Sequence, residues 1–235
     1  MSRKTRVTPK ADADDEGGFR EYSSPACFMH ELDDAGQVIE RDMQTQVDVT
    51  RWRKAERERL IAARLATSAD ERQRKTDAII DRLNEAIGDV HGKMISTYWP
   101  FRGEPDLRGW MESIAQRGGC CALPIVVEKA APLIFRAWRQ GEPLEKGVWN
   151  IPIPAQGPEV IPDIVIAPVV GFDRSCYRLG YGGGFFDRTL AAIGARARAI
   201  GVGYALQEIP TIYPQRYDIP MRFVLTEQEA VQPKG

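Results

Sequence analysis

The sequence predicts an α/β fold: a compact, open, largely parallel sheet flanked by helices, preceded by a poorly ordered N-terminal extension. Short apolar runs of strand length recur after Gly92 (MISTYW, CALPIVV, LIFRAW, DIVIAPVV, AIGVGY and RFVL), and continuous apolarity suits strands covered on both faces. Helical segments separate several of these runs, as expected of a sheet that is at least partly parallel. Two more segments with a helical apolar period lie upstream of the first run.

In chain order, residues 1 to about 50 are polar and hold no sustained period apart from the piece YSSPACFMHEL, so they are read as a mobile extension, with the α/β domain over 51–235. From Thr50, TRWRKAERERLIAARLA has high helix propensity, with Trp52, Leu60, Ile61 and Leu65 as apolar positions and a basic opposite face. Ser68-Ala-Asp-Glu71 has the capping-box pattern and opens a second helix on which Ile79, Ile80, Leu83 and Ile87 share a face. DLRGWMESIAQRGG places Leu107, Trp110, Met111 and Ile114 on one face, between a capping Asp106 and the stop Gly118-Gly119. FFDRTLAAI is a further amphipathic helix. In open α/β sheets ligands gather at the C-terminal ends of the strands, so the loops after the apolar runs are where function is expected.

Composition narrows the chemistry. With 235 residues, 43% hydrophobic, and a formal net charge of -1, the chain can bury a sizeable core and is not a protein dominated by nucleic acid or an anionic membrane. The basic run TRWRKAERER holds one aromatic, Trp52, rather than a series interleaved with its cations, and is read as a helix face rather than a nucleic-acid module. No apolar run reaches the length of a membrane span, and MSRKTRV is followed by KADADDEGG instead of an apolar stretch, so a cytoplasmic address is expected. Cys27, Cys120, Cys121 and Cys176 have no C-x-x-C spacing and are read as structural thiols. The only histidines are His30 and His91, so carboxylates, cations and glycines must carry any catalysis.

The stretch RLGYGGGFFDRTL concentrates such groups. Gly180, Gly182, Gly183 and Gly184 lie between an apolar strand and an amphipathic helix, where free backbone N–H groups and the helix dipole suit a phosphate. The register is neither Walker nor G-x-G-x-x-G, and spacing alone serves a phosphate cradle and a structural turn equally. Arg178 can offer a planar cation to phosphate oxygens, and Asp187 can hold a divalent ion; alone, each is as well explained by a surface arginine and a dipole-complementing aspartate. Asp218 in RYDIPM is a second candidate carboxylate for that ion. Arg53 and Arg57 share a helix face and can address the same polyanion, although from pattern alone a solvated helix face is the first reading. In YWPFRGEPD, Glu104 follows a strand, with Tyr98, Trp99 and Phe101 near it to flank a planar heterocycle; a hydrophobic strand end with a solvent-facing glutamate is the plainer alternative.

RLGYGGGFFDR, the basic helix, YWPFRGEPD, GVWNIPIP, PDIVIAPVVGFD, GVGYALQ and DIPMRFVLTE together resemble the motifs of the 5-formyltetrahydrofolate cyclo-ligase family, also called 5,10-methenyltetrahydrofolate synthetases. The likeness covers most of residues 53–227. It implies a compact α/β fold and an ATP- and Mg2+-dependent conversion of 5-formyltetrahydrofolate to 5,10-methenyltetrahydrofolate, ADP and phosphate. It also implies that the formyl oxygen attacks the γ-phosphate and that ring closure from N10 displaces the phosphate, leaving the protein to position groups and stabilise charge. Carried over by residue, the resemblance sets the ATP phosphates against Arg178, Gly180, Gly182, Gly183, Gly184 and Phe185, with Arg53 and Arg57 closing from the basic helix and Phe186 in the second aromatic place. It gives Asp187 and Asp218 to Mg2+, with Arg178 and Asp187 as the catalytic pair. Trp99 and Glu104 fall in the folate pocket, which Tyr98 and Trp149 help to shape.

The chain departs from the resemblance at several positions. Phe185 and Phe186 stand where tyrosines are frequent, Gly183 where some members carry a cation, and Arg222 where many have an aspartate. Those departures keep open a nucleotide- or folate-binding regulator without turnover, and pocket shape leaves open a related N-formyl or thiamine-linked substrate. The partners implied are a small-molecule folate and ATP, with no nucleic acid or membrane; a monomer is expected, and a dimer is compatible.

Overall fold

The computed structural model describes residues 40–233, with side chains from residue 45 onward. Of the extension read over residues 1 to about 50, residues 1–39, with Cys27, His30 and YSSPACFMHEL, lie outside the described residues. Helix α1 spans Glu40–Ala66 and thus starts upstream of Thr50, since the intervening residues include no glycine or proline to end it. It is followed by α2 (Ala69–Ile87), β1 (Met94–Ser96), α3 (Arg108–Gln116), β2 (Cys120–Ile125), β3 (Ile134–Ala137), β4 (Leu144–Lys146), β5 (Pro152–Pro154) and β6 (Glu159–Val160). The remaining elements are β7 (Ile164–Pro168), β8 (Gly171–Phe172), β9 (Arg178–Leu179), α4 (Phe185–Ile193), β10 (Arg198–Val202), β11 (Phe223–Leu225) and β12 (Ala230–Val231).

Eight strands form one sheet in the order β12-β11-β10-β7-β1-β2-β3-β6. The five central strands, β11 through β2, are parallel, and the margins are antiparallel. All six apolar runs contribute strands to this sheet. LIFRAW forms β3, which reverses direction because residues 126–133 are too few for the crossover that a parallel neighbour needs. The GFDRSCY connection is a small hairpin, β8 against β9, which turns the chain at Asp173.

Strand β7 shows why the runs are apolar throughout. Its Ile164 and Ile166 face a core built with Ile79, Leu83 and Ile87 of α2 and Trp110, Met111 and Ile114 of α3, while Val165 and Ala167 face a second core holding Leu190 of α4. With alternate residues buried on opposite sides, no position is left for a polar residue. A third cluster seats Leu60 of α1 against Val170, Leu179, Ile209 and Ile212. Each such buried aliphatic side chain contributes about 1.5–3 kcal/mol.

Three local readings need correction. The inward stripe of α1 is Arg53, Arg57, Leu60 and Arg64, whereas Leu65 is 52% exposed. Hydropathy assigns arginine to solvent, but this stripe is set by hydrogen-bonding partners for the guanidinium groups. Ser68 does cap α2 by accepting from the Glu71 amide at 3.2 Å, yet Glu71 pairs with Lys75 at 3.1 Å, so only half of the capping box forms. The N-cap of α3 is Leu107, and Asp106 acts from one residue earlier, accepting from the Arg108 amide at 3.1 Å.

Candidate functional site

The parallel strands end on one side of the sheet, and the glycine-rich loop lies there between β9 and α4. Gly182 has φ 97° and Gly184 φ 61°, conformations that a side chain resists, so the loop path depends on both. Gly184 is the N-cap of α4 and supplies no side-chain cap, which leaves the first amides of the helix available to an anion.

Four arginines surround this loop. Arg57 donates from Nε to the Gly180 carbonyl at 2.6 Å, and its guanidinium lies next to Gly182. Arg188, one turn into α4, donates to the Gly183 carbonyl and stands over the Phe185 ring at 5.4 Å. Arg178 is buried with its guanidinium 5.2 Å from the Phe186 ring centroid, and its Nη2 lies 2.9 Å from Asp187 Oδ2. That approach has ion-pair distance without hydrogen-bond geometry: both Nε and Nη2 of Arg178 remain without a hydrogen-bond acceptor. Burial pushes the Arg178 pKa below its ordinary value, and the Asp187 and Asp218 carboxylates oppose that change. Arg53 is differently occupied: it pairs with Asp218 through both terminal nitrogens and donates to the Ile212 and Tyr213 carbonyls at 3.0 and 2.8 Å.

The two aspartates come together through the backbone. Asp218 accepts from the Gln215 amide at 2.6 Å, and Asp187 accepts from the amide of Ile219, the next residue after Asp218, at 3.2 Å. Each also faces an arginine, and no group of three or more His, Cys, Asp or Glu residues among the described residues could hold a metal ion. Two carboxylates fit Mg2+ when phosphate oxygens and water complete its shell, the usual arrangement for that ion. Arg222 is exposed, and its amide donates to the Ala199 carbonyl.

Glu104, in the β1–α3 loop, is 6% exposed. Its Oε2 accepts from the Phe101 amide at 2.9 Å and its Oε1 from the Tyr181 hydroxyl at 2.9 Å. Burial raises its pKa from 4.5 to about 7 against the opposing influence of Arg64 and these two hydrogen bonds. Tyr98 is buried and donates to the Pro105 carbonyl at 2.9 Å, so it supports the loop from beneath. Trp99 is half-buried, edge-on to Trp138 at 5.8 Å, with the Arg108 guanidinium 5.3 Å from its ring. Trp149 sits between β4 and β5, 54% exposed, with φ 57°.

Sequence reasoning missed Arg64 and Tyr181. Arg64 is wholly buried on α1 and donates to the Arg102 and Val169 carbonyls and to the Tyr181 hydroxyl. Its signal was available in the helical spacing from Arg53 and Arg57, which continues through Leu60 to position 64. Tyr181 lies within the glycine-loop motif, but spacing gave it no role there.

Fold and site define a class: an open α/β protein with a cation-rich glycine loop on the side of the sheet where its parallel strands end, and a buried acid nearby. The 5-formyltetrahydrofolate cyclo-ligase family model matches residues 49–227, and the chain belongs to that family. It is similar to the 5-formyltetrahydrofolate cyclo-ligase of Mycolicibacterium smegmatis, with 31% identity over 60% of this chain and 77% of the relative. The Escherichia coli K12 protein of the same name is 26% identical over 69% of this chain and 93% of the relative. Among solved structures, 5,10-methenyltetrahydrofolate synthetase of Aquifex aeolicus superposes with TM-score 0.68 and 25% identity, covering 78% of this chain and 93% of that one. The corresponding Mycoplasma pneumoniae protein shares the fold, with TM-score 0.62 and 20% identity over 74% of this chain and 98% of that one.

Proposed function

We propose that this chain is a 5-formyltetrahydrofolate cyclo-ligase that uses ATP and Mg2+ to form 5,10-methenyltetrahydrofolate, ADP and phosphate. The observation that carries the reading is Arg178: a buried guanidinium under a glycine-rich loop, with Nε lacking an acceptor and Nη2 meeting Asp187 only at ion-pair distance, has donors left for an anionic ligand. Bound ATP with Mg2+ would supply the phosphoryl group that turns the formyl oxygen into a leaving group. Arg178, Arg57 and the free amides at the start of α4 hold the phosphates and stabilise charge developing on the transferred group. The Phe185 and Phe186 faces support the Arg188 and Arg178 cations. Asp187 and Asp218 would hold Mg2+, with Arg53 orienting Asp218. Glu104 accepts from the donor edge of the pterin ring, with Trp99 and Tyr98 shaping that side. No helix among the described residues is long and apolar enough to cross a membrane.

The test is direct. The purified full chain, given ATP, Mg2+ and 5-formyltetrahydrofolate, is expected to generate the near-ultraviolet absorbance of the methenyl product, and Asp187→Ala is expected to abolish it while the fold persists. A folded, ATP-binding chain that produces no absorbance would overturn the reading. The second reading, ligand binding without turnover, is favoured by the pairing of both metal-position aspartates with arginines; calorimetric binding without product formation would establish it.

A further inference from the structure

Arg64, Tyr181 and Glu104 join three separate chain segments in one buried line. Arg64 Nη2 lies 2.8 Å from the Tyr181 hydroxyl, which lies 2.9 Å from Glu104 Oε1. Their direction follows from chemistry. A guanidinium can only donate, so the Tyr181 oxygen accepts from Arg64 and its single proton must go elsewhere. The acceptors within reach are Glu104 Oε1 at 2.9 Å and the Phe101 carbonyl at 3.4 Å, and the shorter contact takes the proton.

We propose that Tyr181, held by Arg64, is a positioning residue that fixes the Glu104 carboxylate as a hydrogen-bond acceptor and ties the glycine loop to the folate side of the cleft. The inference rests on the cyclo-ligase reading for the identity of both ligands. Tyr181 belongs to the phosphate-facing loop by chain position and to the Glu104 side by its contacts, including a tilted ring packing on Phe101 with centroids 5.6 Å apart. Arg64 fixes the hydroxyl from α1 while its Nε holds the Arg102 carbonyl at 2.9 Å in the same loop as Glu104. The titratable and charged groups facing Glu104 are thus Arg64 from α1, Tyr181 from the glycine loop and Tyr98 from the end of β1. The Tyr98 proton is already committed to the Pro105 carbonyl, leaving Arg64, Tyr181 and the Phe101 amide to favour the ionised form of Glu104 against the larger effect of burial.

The experiment compares the full chain with Tyr181→Phe, which keeps the ring and removes only the hydroxyl. At saturating ATP, the variant's KM for 5-formyltetrahydrofolate is expected to rise about tenfold, with kcat and the KM for ATP changed by less than about twofold. The rising limb of kcat/KM for the folate against pH is expected to move upward by about one pH unit, because a carboxylate that loses a donor holds its proton more tightly. The difference between the two profiles removes the substrate's own titrations. Arg64→Gln, which withdraws the guanidinium and leaves both rings, is the second variant, with a change in the same direction. An unchanged profile and folate KM, or equal losses toward both substrates, would overturn the proposal. If the wild-type chain shows no turnover, the cyclo-ligase reading fails separately. Calorimetric 5-formyltetrahydrofolate binding across the same pH range then decides: weaker, pH-shifted binding by Tyr181→Phe supports the role, and equal or absent binding in both proteins refutes it.

Discussion

Arg64 and Arg178 are both buried guanidiniums beside the same cleft, and their surroundings are opposite. Arg64 has an acceptor for each of its three nitrogens: the Arg102 carbonyl, the Val169 carbonyl and the Tyr181 hydroxyl. Arg178 has an aspartate at 2.9 Å and two nitrogens without a hydrogen-bond acceptor. A buried cation with all its bonds made is part of the scaffold, whereas one desolvated with donors unmet is set to gain energy when an anion arrives. The same residue type on the two flanks is thus fully hydrogen-bonded in one place and left with unmet donors in the other.

The sharpest way to break that contrast is to remove each guanidinium in turn. Arg178→Met is expected to lower turnover roughly 100- to 1000-fold, the scale for losing one donor that faces developing charge. Its loss of stability should be smaller than that of Arg64→Met, because Arg178 makes one ion-pair contact, with Asp187, where Arg64 makes three hydrogen bonds. Steady-state assays and chemical denaturation of the same preparations measure both effects. If Arg178→Met proves the less stable of the two, Arg178 is scaffold and the contrast fails.

Arg64→Met is the next largest effect. It leaves the Arg102 carbonyl and the Tyr181 oxygen short of a donor, while the Val169 carbonyl keeps its bond from Gln207 at 2.7 Å. Unfolding in urea should register a loss on the order of 3 kcal/mol. A loss within about 0.5 kcal/mol would mean that water satisfies those oxygens and that Arg64 supports nothing.

Much of this molecule is legible in its sequence, for physical reasons that also mark where reading stops. The strands were legible because central strands of a covered sheet need apolar residues at every position, as in Ile164 to Ala167. The glycine loop was legible because Gly182 and Gly184 adopt backbone conformations that few residues tolerate. The encounter of Asp187 with Asp218 depends on the Ile219 amide, a contact between distant parts of the chain that no local pattern encodes. Arg64 was hidden for a different reason. Burial of arginine is decided by acceptors that three other segments bring, so hydropathy placed the neighbouring Leu65 inward in its stead.

Glu104 offers a smaller and more selective probe, since its proton reports the whole flank at once. In the unfolded chain it titrates near 4.5 and in the folded protein at about 7, so between those values the folded state holds a proton that the unfolded state has lost. Stability contributed by this group is therefore full below pH 4.5, declines as pH rises toward 7, and is absent above it. From about pH 5.5 to about pH 7.5 the decline should be on the order of 2 kcal/mol, since one proton held by the folded state alone costs about 1.4 kcal/mol for each pH unit until it dissociates. Other groups titrate in this range as well, so the quantity to measure is the difference between the wild-type chain and Glu104→Gln, in which the carboxyl proton is removed from the balance. Denaturant midpoints across that range are expected to fall more steeply in the wild type than in the variant. Parallel curves would mean that Glu104 is ionised throughout, in which case Arg64 and Tyr181 outweigh burial and the carboxylate is a permanent acceptor rather than one that neutral pH half-protonates.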